Sequence, residues 1–402
     1  MTRIPITGIG LVAPAAIGIE AFRKLLAGDT KAIQKIERFD TQGLKAKQAA
    51  LIRDFKPKDF IAPMKMRRMN TLSRYAVAAA RMAVDDAGVQ LGVNTGVALG
   101  TCFGPVQTSV DYMQEYVEKG ASLAPPQLFA ESVANAPGSH IAIEHDLRGF
   151  NLTVTQRESS AISAAMYAAS QIAKGVVPAA MIGGVEEINE MVFSVLDSLG
   201  ALAHDDGSLD SDAEQARPFD RHRNGMIMGE GGAILIAESR PSREPYGYLA
   251  GFGMARDTTA SISDWGHGAE SVAIAMRAAI DDAGLTRDDI DAVYASANGT
   301  KKADALEAAA LHALFDRKLP PIVATKGIFG EYTAAGALQL VAALLALRDG
   351  ILHDSAGFET IDPELKLTPH RGHEKAELRH ILVSSLSAGG GVVCAVVSRQ
   401  AA

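Results

Sequence analysis

The chain follows one order of elements twice, and this repeat constrains its fold more than any other feature. Residues 80–102 (ARMAVDDAGVQLGVNTGVALGTC) and 276–300 (MRAAIDDAGLTRDDIDAVYASANGT) are each an alanine-rich helix ending in Asp-Asp-Ala-Gly, then a linker and an apolar strand closing on Gly-Thr. Gly88 and Gly284 stand where a left-handed residue ends a helix. The repeat predicts an α/β protein made of two similar halves.

A second pair of stretches fits the same scheme. Residues 153–177 and 323–352 each read as a strand, a turn, a long helix of small residues and a Lys/Arg-x-Gly stop. Because the two helices are apolar nearly all round, we expect both to be buried between two sheets. The sequence therefore predicts a layered α/β/α/β/α fold made of two duplicated halves, at 1–240 and 241–402.

One segment, at about residues 104–145, has no counterpart in the second half and is predicted to be an insertion over a site or an interface. It places Tyr112, Met113 and Tyr116 at helical spacing. These three side chains are candidates for ordinary core packing or, alternatively, for the wall of an interface.

Composition narrows the class of protein. The 402 residues are 48% hydrophobic but only 5% aromatic, with 38 glycines, which suits closely packed α/β layers. A net charge of −8 argues against a nucleic-acid partner, which needs a basic surface. No apolar run is long enough for a membrane span, and no signal-peptide pattern is present, so we expect a cytoplasmic protein. Cys102 and Cys394 lack metal-ligand spacing and are expected to be reduced thiols without a metal.

The stretch NLTVTQRESSAIS, residues 151–163, reads as a strand that breaks sharply into a helix. Many enzymes present a nucleophile on such an elbow. The tip of this elbow instead offers Gln156, Arg157 and Glu158. A guanidinium stays protonated at physiological pH, so Arg157 can neither attack a thioester nor carry an acyl group.

Several motifs resemble the β-ketoacyl-acyl carrier protein synthases of the thiolase-like fold. The most specific is RPFDRHRNGMIMGEGGAILIAE at residues 217–238, which is similar to the family's PFD-x-x-R-x-G-x-x-x-GEG signature. The others follow in the family's order: KMRRMN at 65–70, DSLGALA at 197–203, ANGT at 297–300, ATKGIFGEYTAAGALQ at 324–339 and SAGGG at 387–391. The resemblance covers essentially the whole chain and implies the thiolase-like fold.

The resemblance also implies which residues occupy the family's catalytic positions. The cysteine that accepts the acyl chain corresponds to Arg157, and the two histidines correspond to Asn298 and Glu331. Only the lysine is retained, as Lys326. Asn298 can donate one hydrogen bond but cannot exchange a proton, and a carboxylate at Glu331 repels the enolate that must form. We therefore expect no catalytic residue for condensation.

Two opposite charges at the former catalytic positions suggest an ion pair. We expect a buried Arg157–Glu331 pair, with Asn298 and Lys326 satisfying the remaining polar groups. The alternative is that Arg157 turns out to solvent. Glu158 is a further candidate partner, although a neighbour along a helix points in another direction.

The family's substrate channel is also altered at the positions that the resemblance identifies. The gating loop corresponds to residues 387–391, and the paired threonines that hold the pantetheine arm correspond to Thr300 and Lys302, so one is lost. Phe103 corresponds to a residue that borders the acyl pocket, where its bulk would block a chain. No cofactor is expected, apart from the phosphopantetheine arm of a carrier protein if that arm binds.

Within this family, inactive homologues are known as chain length factors, which pair with an active ketosynthase and shape the tunnel that limits polyketide or polyene length. Their usual residue at the cysteine position is glutamine; Arg157 departs from this, although Gln156 is adjacent. The resemblance implies a heterodimer. Tyr112, Met113 and Tyr116, by their helical spacing in the insertion, are candidates for the wall of its tunnel or interface. Aromatic polyketide, aryl polyene and polyunsaturated amide products all stay open, with a polyene system favoured.

An acyl carrier protein is the second expected partner. The cluster Lys65, Arg67 and Arg68 is similar to the stretch on which active relatives dock this acidic protein, and a solvated helix face explains it equally well.

Two other classes compete with the chain length factor. One is an unconventional acyltransferase or thioesterase that uses Ser159, Ser160 or Cys102, although no histidine corresponds to a base for them. The other is a structural homodimer without a ketosynthase partner.

Overall fold

The computed structural model describes residues 2–209, 214–316, 318–331 and 333–401. The strands are β1 (Ile4–Ala13), β2 (Ala16–Ile17), β3 (Ile33–Lys35), β4 (Gln48–Ala50), β5 (Gly96–Gly100), β6 (Asn151–Val154), β7 (Ala179–Glu186), β8 (Gly231–Glu238), β9 (Gly247–Arg256), β10 (Ala292–Tyr294), β11 (Ile322–Val323), β12 (Ile351–Leu352), β13 (Glu374–Lys375), β14 (His380–Leu386) and β15 (Gly391–Ser398). The helices are α1 (Ile19–Leu26), α2 (Pro63–Met66), α3 (Thr71–Ala87), α4 (Val106–Lys119), α5 (Pro126–Glu131), α6 (Ala136–Glu144), α7 (Ser160–Ala173), α8 (Glu190–Ser198), α9 (Ala269–Asp282), α10 (Lys301–Phe315), α11 (Lys326–Phe329) and α12 (Thr333–Asp349).

The two halves of the chain build sheets with the same strand order. In the first half the order is β1-β8-β7-β5-β6, and in the second it is β9-β15-β14-β10-β11. When the five strands named for each half are numbered by their order in the chain, both halves read first, fifth, fourth, second, third. The first strands of the two halves, β1 and β9, pair antiparallel and join the sheets. This shared order confirms the two similar halves that the sequence repeat predicts.

The helices form three layers around these sheets. α3 packs on β1 and β8, and α9 packs on β9 and β15, so these two helices cover the outer faces. α7 and α12 pack against each other and against strands of both halves. This position explains why the two central helices are apolar on nearly all of their faces. It also confirms the predicted α/β/α/β/α layering.

Glycines in the first strand of each half allow the outer helices to approach closely. A Cβ atom at Gly10 of β1 would lie 2.0 Å from the carbonyl oxygen of Ala79 in α3. At Gly253 of β9, the corresponding distance to the carbonyl oxygen of Ala275 in α9 is 2.1 Å. Each of these helices ends at a left-handed glycine, as the sequence predicts, with φ of 63° at Gly88 and 69° at Gly284. The same local packing therefore occurs in both halves.

Only part of the insertion predicted at 104–145 lacks a counterpart in the second half of the chain. Its last helix, α6, packs on α3 in the way that α10 packs on α9, so α6 does have a counterpart in the second half. The additional part is the pair α4 and α5, which pack on each other. Sequence comparison missed this match because α6, unlike α10, begins with Ala-Pro-Gly and shares no motif with it.

Two features are absent from the described ranges, a membrane-spanning helix and a cluster of metal ligands. No helix there is long and apolar enough to cross a bilayer. No group of three histidine, cysteine, aspartate or glutamate side chains comes together there as metal ligands.

Candidate functional site at the strand-to-helix elbow

The elbow is formed by a tight turn between β6 and α7. After β6 the chain makes a 3₁₀ turn over Arg157–Ser159 and continues directly into α7. Arg157 has φ of +49°, a left-handed conformation that is uncommon for a non-glycine residue, and its side chain is exposed. The Ser160 hydroxyl fixes the turn, since it donates to the Arg157 carbonyl oxygen at 2.6 Å and accepts from the Gln156 N–H at 2.7 Å.

Behind the elbow lies a buried ion pair. Lys326, at the start of α11, places its Nζ 2.5 Å from Oε2 of Glu331. Asn298 donates from Nδ2 to the same oxygen at 3.0 Å. Lys326 is 1% exposed and Glu331 3%, so this pair is shielded from water. The other carboxylate oxygen of Glu331, Oε1, is buried without a hydrogen-bond partner among the described residues.

The predicted Arg157–Glu331 ion pair is wrong, because Lys326 provides the cation instead. Lys326 and Glu331 are five residues apart, and Gly330 between them has φ of +80°, which turns the chain directly after α11. The structure does bring Asn298, Glu331 and Lys326 together, as the motif positions predict, and it leaves the Arg157 side chain at the surface.

Glu158, rather than Arg157, faces the buried pair. Burial, followed by the charge of Glu331, raises the pKa of the Glu158 carboxyl to about 7, against the opposing charges of Lys326 and Arg157. Its Oε2 accepts a hydrogen bond from the Ala388 N–H at 3.2 Å. The expectation that Glu158 points elsewhere assumed a regular helix, whereas the 3₁₀ turn and the left-handed Arg157 send successive side chains to opposite sides.

This raised pKa predicts a measurable pH dependence of stability. The protonated carboxyl stabilises the fold fully below its ordinary pKa of 4.5, and this contribution is lost as pH rises through about 7. The stability of the wild type relative to Glu158→Gln should therefore fall by on the order of 2 kcal/mol between pH 4.5 and pH 8. Urea denaturation at both pH values measures the difference. Glu377→Gln, which changes an exposed carboxylate, is the control. If the stability difference from the wild type changed equally with pH in both variants, the assignment to Glu158 would be wrong.

A second buried carboxylate holds the loop that carries Asn298. Asp304 accepts hydrogen bonds from the backbone N–H groups of Asn298, Gly299 and Phe219. Burial raises the pKa of the Asp304 carboxyl to about 6, and these N–H groups, together with the Arg223 charge, oppose that rise. The position of the Asn298 amide is therefore set by α10, the helix that contains Asp304.

Comparison with known proteins identifies the family. The family model for the beta-ketoacyl synthase N-terminal domain matches residues 1–241, and the model for its C-terminal domain matches residues 246–359. This chain is a member of the beta-ketoacyl synthase family. The two matched ranges span most of the chain and include the elbow, Asn298 and Lys326.

Individual relatives of this family member are similar over nearly their full length. The chain is 32% identical over 422 residues to "Putative polyketide beta-ketoacyl synthase 1" of Streptomyces halstedii, covering 98% of this chain and 97% of the relative. It is 30% identical over 375 residues to "Actinorhodin polyketide putative beta-ketoacyl synthase 2" of Streptomyces coelicolor, covering 89% of each. A solved structure titled "The ishigamide ketosynthase/chain length factor" superposes with a TM-score of 0.90 and 28% identity, covering 99% of both chains. The thiolase-like fold is thereby confirmed.

The serines near the elbow of this ketosynthase-family chain serve the fold. Ser159 and Ser160 are fully buried. The Ser159 hydroxyl donates to the Ser385 carbonyl oxygen at 3.0 Å, and the Ser160 hydroxyl donates to Arg157. Cys102 is partly buried, and its backbone N–H donates to Glu186. These contacts do not favour the alternative in which one of the three residues is a nucleophile.

The interface candidates lie on an exposed apolar surface formed by α4 and α5. Met113 is 53% exposed and Tyr116 43%, while Tyr112 is half-buried beside them. The Tyr112 ring lies 5.6 Å from that of Phe129 on α5, which is itself exposed. Phe103, three residues after the end of β5, is also exposed. Sequence reasoning missed Phe129, because α5 is a short helix that begins at the second of two prolines and has no readable period.

The carrier-docking candidates are not equivalent. Lys65 forms an ion pair with Glu144 at 2.7 Å, which neutralises its charge. Arg67 and Arg68 are exposed, and the Arg68 carbonyl oxygen accepts from the side chain of Gln127 on α5. Two of the three predicted cations are therefore presented beside the α4–α5 surface.

Proposed function

We propose that this chain is a catalytically inactive, chain length factor-like subunit that pairs with an active ketosynthase and shapes the tunnel controlling the length of a polyketide or polyene. The observation that carries the proposal is the site itself, in which Arg157 occupies the elbow tip and the Lys326–Glu331 pair fills the space behind it. A condensation needs a nucleophile that can become anionic and donors aimed at the enolate oxygen. The Arg157 guanidinium cannot become anionic, and the donors of Asn298 and Lys326 are directed at the Glu331 carboxylate instead.

The partner is supported by the surface of the chain and by its relatives. Monomeric proteins rarely expose contiguous apolar side chains such as those on α4 and α5 without covering them in an assembly. The similar ishigamide structure is titled a ketosynthase/chain length factor. We assign the α4–α5 surface to the contact with the ketosynthase, where Tyr112, Met113, Tyr116 and Phe103 would line the shared tunnel.

The carrier protein belongs to the same proposal. Exposed Arg67 and Arg68 offer positive charge to an acidic acyl carrier protein, and its phosphopantetheine arm is the only cofactor that the proposal involves. The complex would act in the cytoplasm. Aryl polyene and aromatic polyketide products both fit, with the polyene favoured.

The inactivity is tested on the purified chain. After incubation with labelled malonyl- and acyl-carrier protein, we expect no covalent adduct by intact mass and no released carbon dioxide. We also expect an active ketosynthase to be encoded beside this chain, to co-purify with it at one-to-one stoichiometry and to give turnover in the complex. A stable acyl adduct on the isolated chain would instead favour an acyltransferase or thioesterase. A homodimer that does not bind the ketosynthase would contradict the proposed heterodimer.

The tunnel role is tested by product length. In the complex, Tyr112→Ala and Met113→Ala remove bulk from the proposed wall, so we expect products longer by one or more two-carbon units, measured by mass spectrometry. The matched control is Val176→Ala, an exposed apolar residue between α7 and β7. Unchanged products from both α4 variants would show that α4 does not set the length.

A further inference from the structure

A cleft with a volume of about 840 Å³ lies between the two halves of the chain. The first half contributes the end of α1, residues of the 27–32 segment and β3, and the second half contributes α11 and residues of the segments 354–357 and 371–373. None of the residues that the proposed function uses lines this cleft. Small-molecule sites are clefts of roughly 300–1,000 Å³ that occur preferentially between structural units. The size and the position of the cleft therefore fit a small ligand.

Part of the lining is apolar and is held in place by close packing. Leu25 of α1 is buried there, whereas Ile33 of β3 and Ile328 of α11 are partly exposed and offer apolar surface to a ligand. A Cβ atom at Gly327 would lie 1.9 Å from the carbonyl oxygen of Ala356, so α11 packs directly on the 354–357 segment. The cleft can therefore cover an apolar chain without a rearrangement of this wall.

Two cations of the lining are available to an anionic ligand. Lys31 is exposed, and its Nζ has no hydrogen-bond or ion-pair partner among the described residues. The Arg371 guanidinium donates from Nη1 to the Phe358 carbonyl oxygen and has Nε 3.5 Å from Asp354, which leaves Nη2 without a partner among those residues. Asp354 is the only acidic side chain in the lining within the described ranges, and it already accepts from the Gly372 N–H at 2.6 Å. With histidine neutral, the lining therefore carries a surplus of one positive charge.

We propose that this cleft binds a free aliphatic carboxylic acid, whose carboxylate contacts Lys31 and Arg371. The aliphatic chain then lies on Ile33 and Ile328. One carboxylate balances the surplus charge, and both an ammonium and a guanidinium form charge-assisted hydrogen bonds with it. An acyl chain on a carrier protein is a thioester and has no carboxylate, so it lacks the group that these cations recognise. The inference concerns a second site, and a failure of the chain to pair with a ketosynthase would leave it unchanged.

The first test compares head groups by equilibrium dialysis of the purified chain against labelled probes at pH 8. We expect decanoate to bind at least tenfold more tightly than decanol, which has the chain without the charge, and than inorganic phosphate, which has charge without the chain. Decanol that binds as tightly as decanoate would show that the carboxylate is not recognised, and phosphate that binds as tightly would show a simple anion site. Either result, or no binding of decanoate at about 1 mM, would overturn the proposal.

The second test compares chain lengths. Decanoate should bind at least tenfold more tightly than hexanoate, because each methylene removed from water contributes roughly a fourfold gain in affinity. Equal affinities for the two acids would show that the chain stays in solvent and would contradict the role of the apolar lining.

Substitution of the two cations assigns the ligand to this cleft. Lys31→Gln/Arg371→Gln should weaken the binding of decanoate at least tenfold and leave that of decanol within about twofold. The matched control is Lys24→Gln/Arg379→Gln, which removes one exposed lysine and one exposed arginine that do not line the cleft. Melting temperatures show whether each variant is folded. Equal losses of affinity in the two double variants would refute the assignment.

Hydrogen–deuterium exchange of the chain locates the bound acid independently of any substitution. At ten times its dissociation constant, decanoate makes local openings that release it about tenfold rarer. Amides between the end of α1 and β3, and those of α11, should therefore exchange more slowly, while α4 and α5 should be unchanged. Protection of α4 and α5 instead would place the acid on their exposed apolar side chains, and the proposal for the cleft would be wrong.

Discussion

Replacing Lys326 by methionine should lower the free energy of unfolding by about 3–5 kcal/mol, because it leaves the Glu331 carboxylate buried without its cation. Lys326 and Glu331 are nearly inaccessible to water, so the stranded charge cannot be solvated. Asn298 alone supplies one hydrogen bond and no compensating charge. Urea denaturation monitored by circular dichroism measures the loss.

Three further variants show whether the loss comes from the pair. Removing both charges in Lys326→Met/Glu331→Gln should recover a large part of the stability, since no charge is then left buried. Lys301→Met, an exposed lysine next in the chain to Thr300, should change stability by no more than about 0.5 kcal/mol. Arg157→Met should cost no more than about 1 kcal/mol, because substitutions of exposed side chains change stability little. A large loss in Arg157→Met with none in Lys326→Met would reverse our assignment of the pair.

Introducing an aspartate on the α4–α5 surface should weaken the complex with the ketosynthase at least 100-fold. Met113 and Phe129 are both more than half exposed in the chain alone, so Met113→Asp and Phe129→Asp should fold normally. In the complex, the new charge would be buried in an apolar contact, which is costly without a partner charge. The dissociation constant, measured by surface plasmon resonance or by co-purification yield, reports the effect.

The control for this prediction is Val176→Asp, which adds the same charge at an exposed apolar position between α7 and β7. It should leave the affinity within about threefold. Melting temperatures of the free chains show whether each variant is folded. If Met113→Asp and Phe129→Asp bind the ketosynthase as tightly as Val176→Asp does, the interface lies on another surface.

Much of the fold could be predicted from the sequence, because its signals are local and occur twice. The Asp-Asp-Ala-Gly helix ends and the two all-apolar helices follow from backbone conformation and from burial. The match of α6 to α10 could not be predicted, since it depends on packing against α3 and α9 and not on shared residues.

The candidate site, like the fold, could be predicted only in part from the sequence. Motif order correctly predicts that Asn298, Glu331 and Lys326 come together. The choice of Lys326 over Arg157 as the partner of Glu331 depends on two backbone conformations, the left-handed Arg157 and the turn at Gly330. Neither conformation can be predicted from residue type. Arginine rarely adopts a left-handed conformation, and Gly330 is only one of 38 glycines in the sequence. The inward position of Glu158 follows from the first of these and was missed for the same reason.

The pairing of β1 with β9 has a consequence for how the polypeptide can be divided. A cut in the exposed link between β8 and β9 would give two fragments, each with five of the ten strands that form the ordered path of the main sheet. Each fragment would carry one of the two central helices and would expose it to water, since each helix needs strands from both pieces to be covered. The fragments should therefore be insoluble when they are produced separately. When they are produced together, they should reassemble into a single particle, so this link is a suitable place to divide the chain for a split reporter.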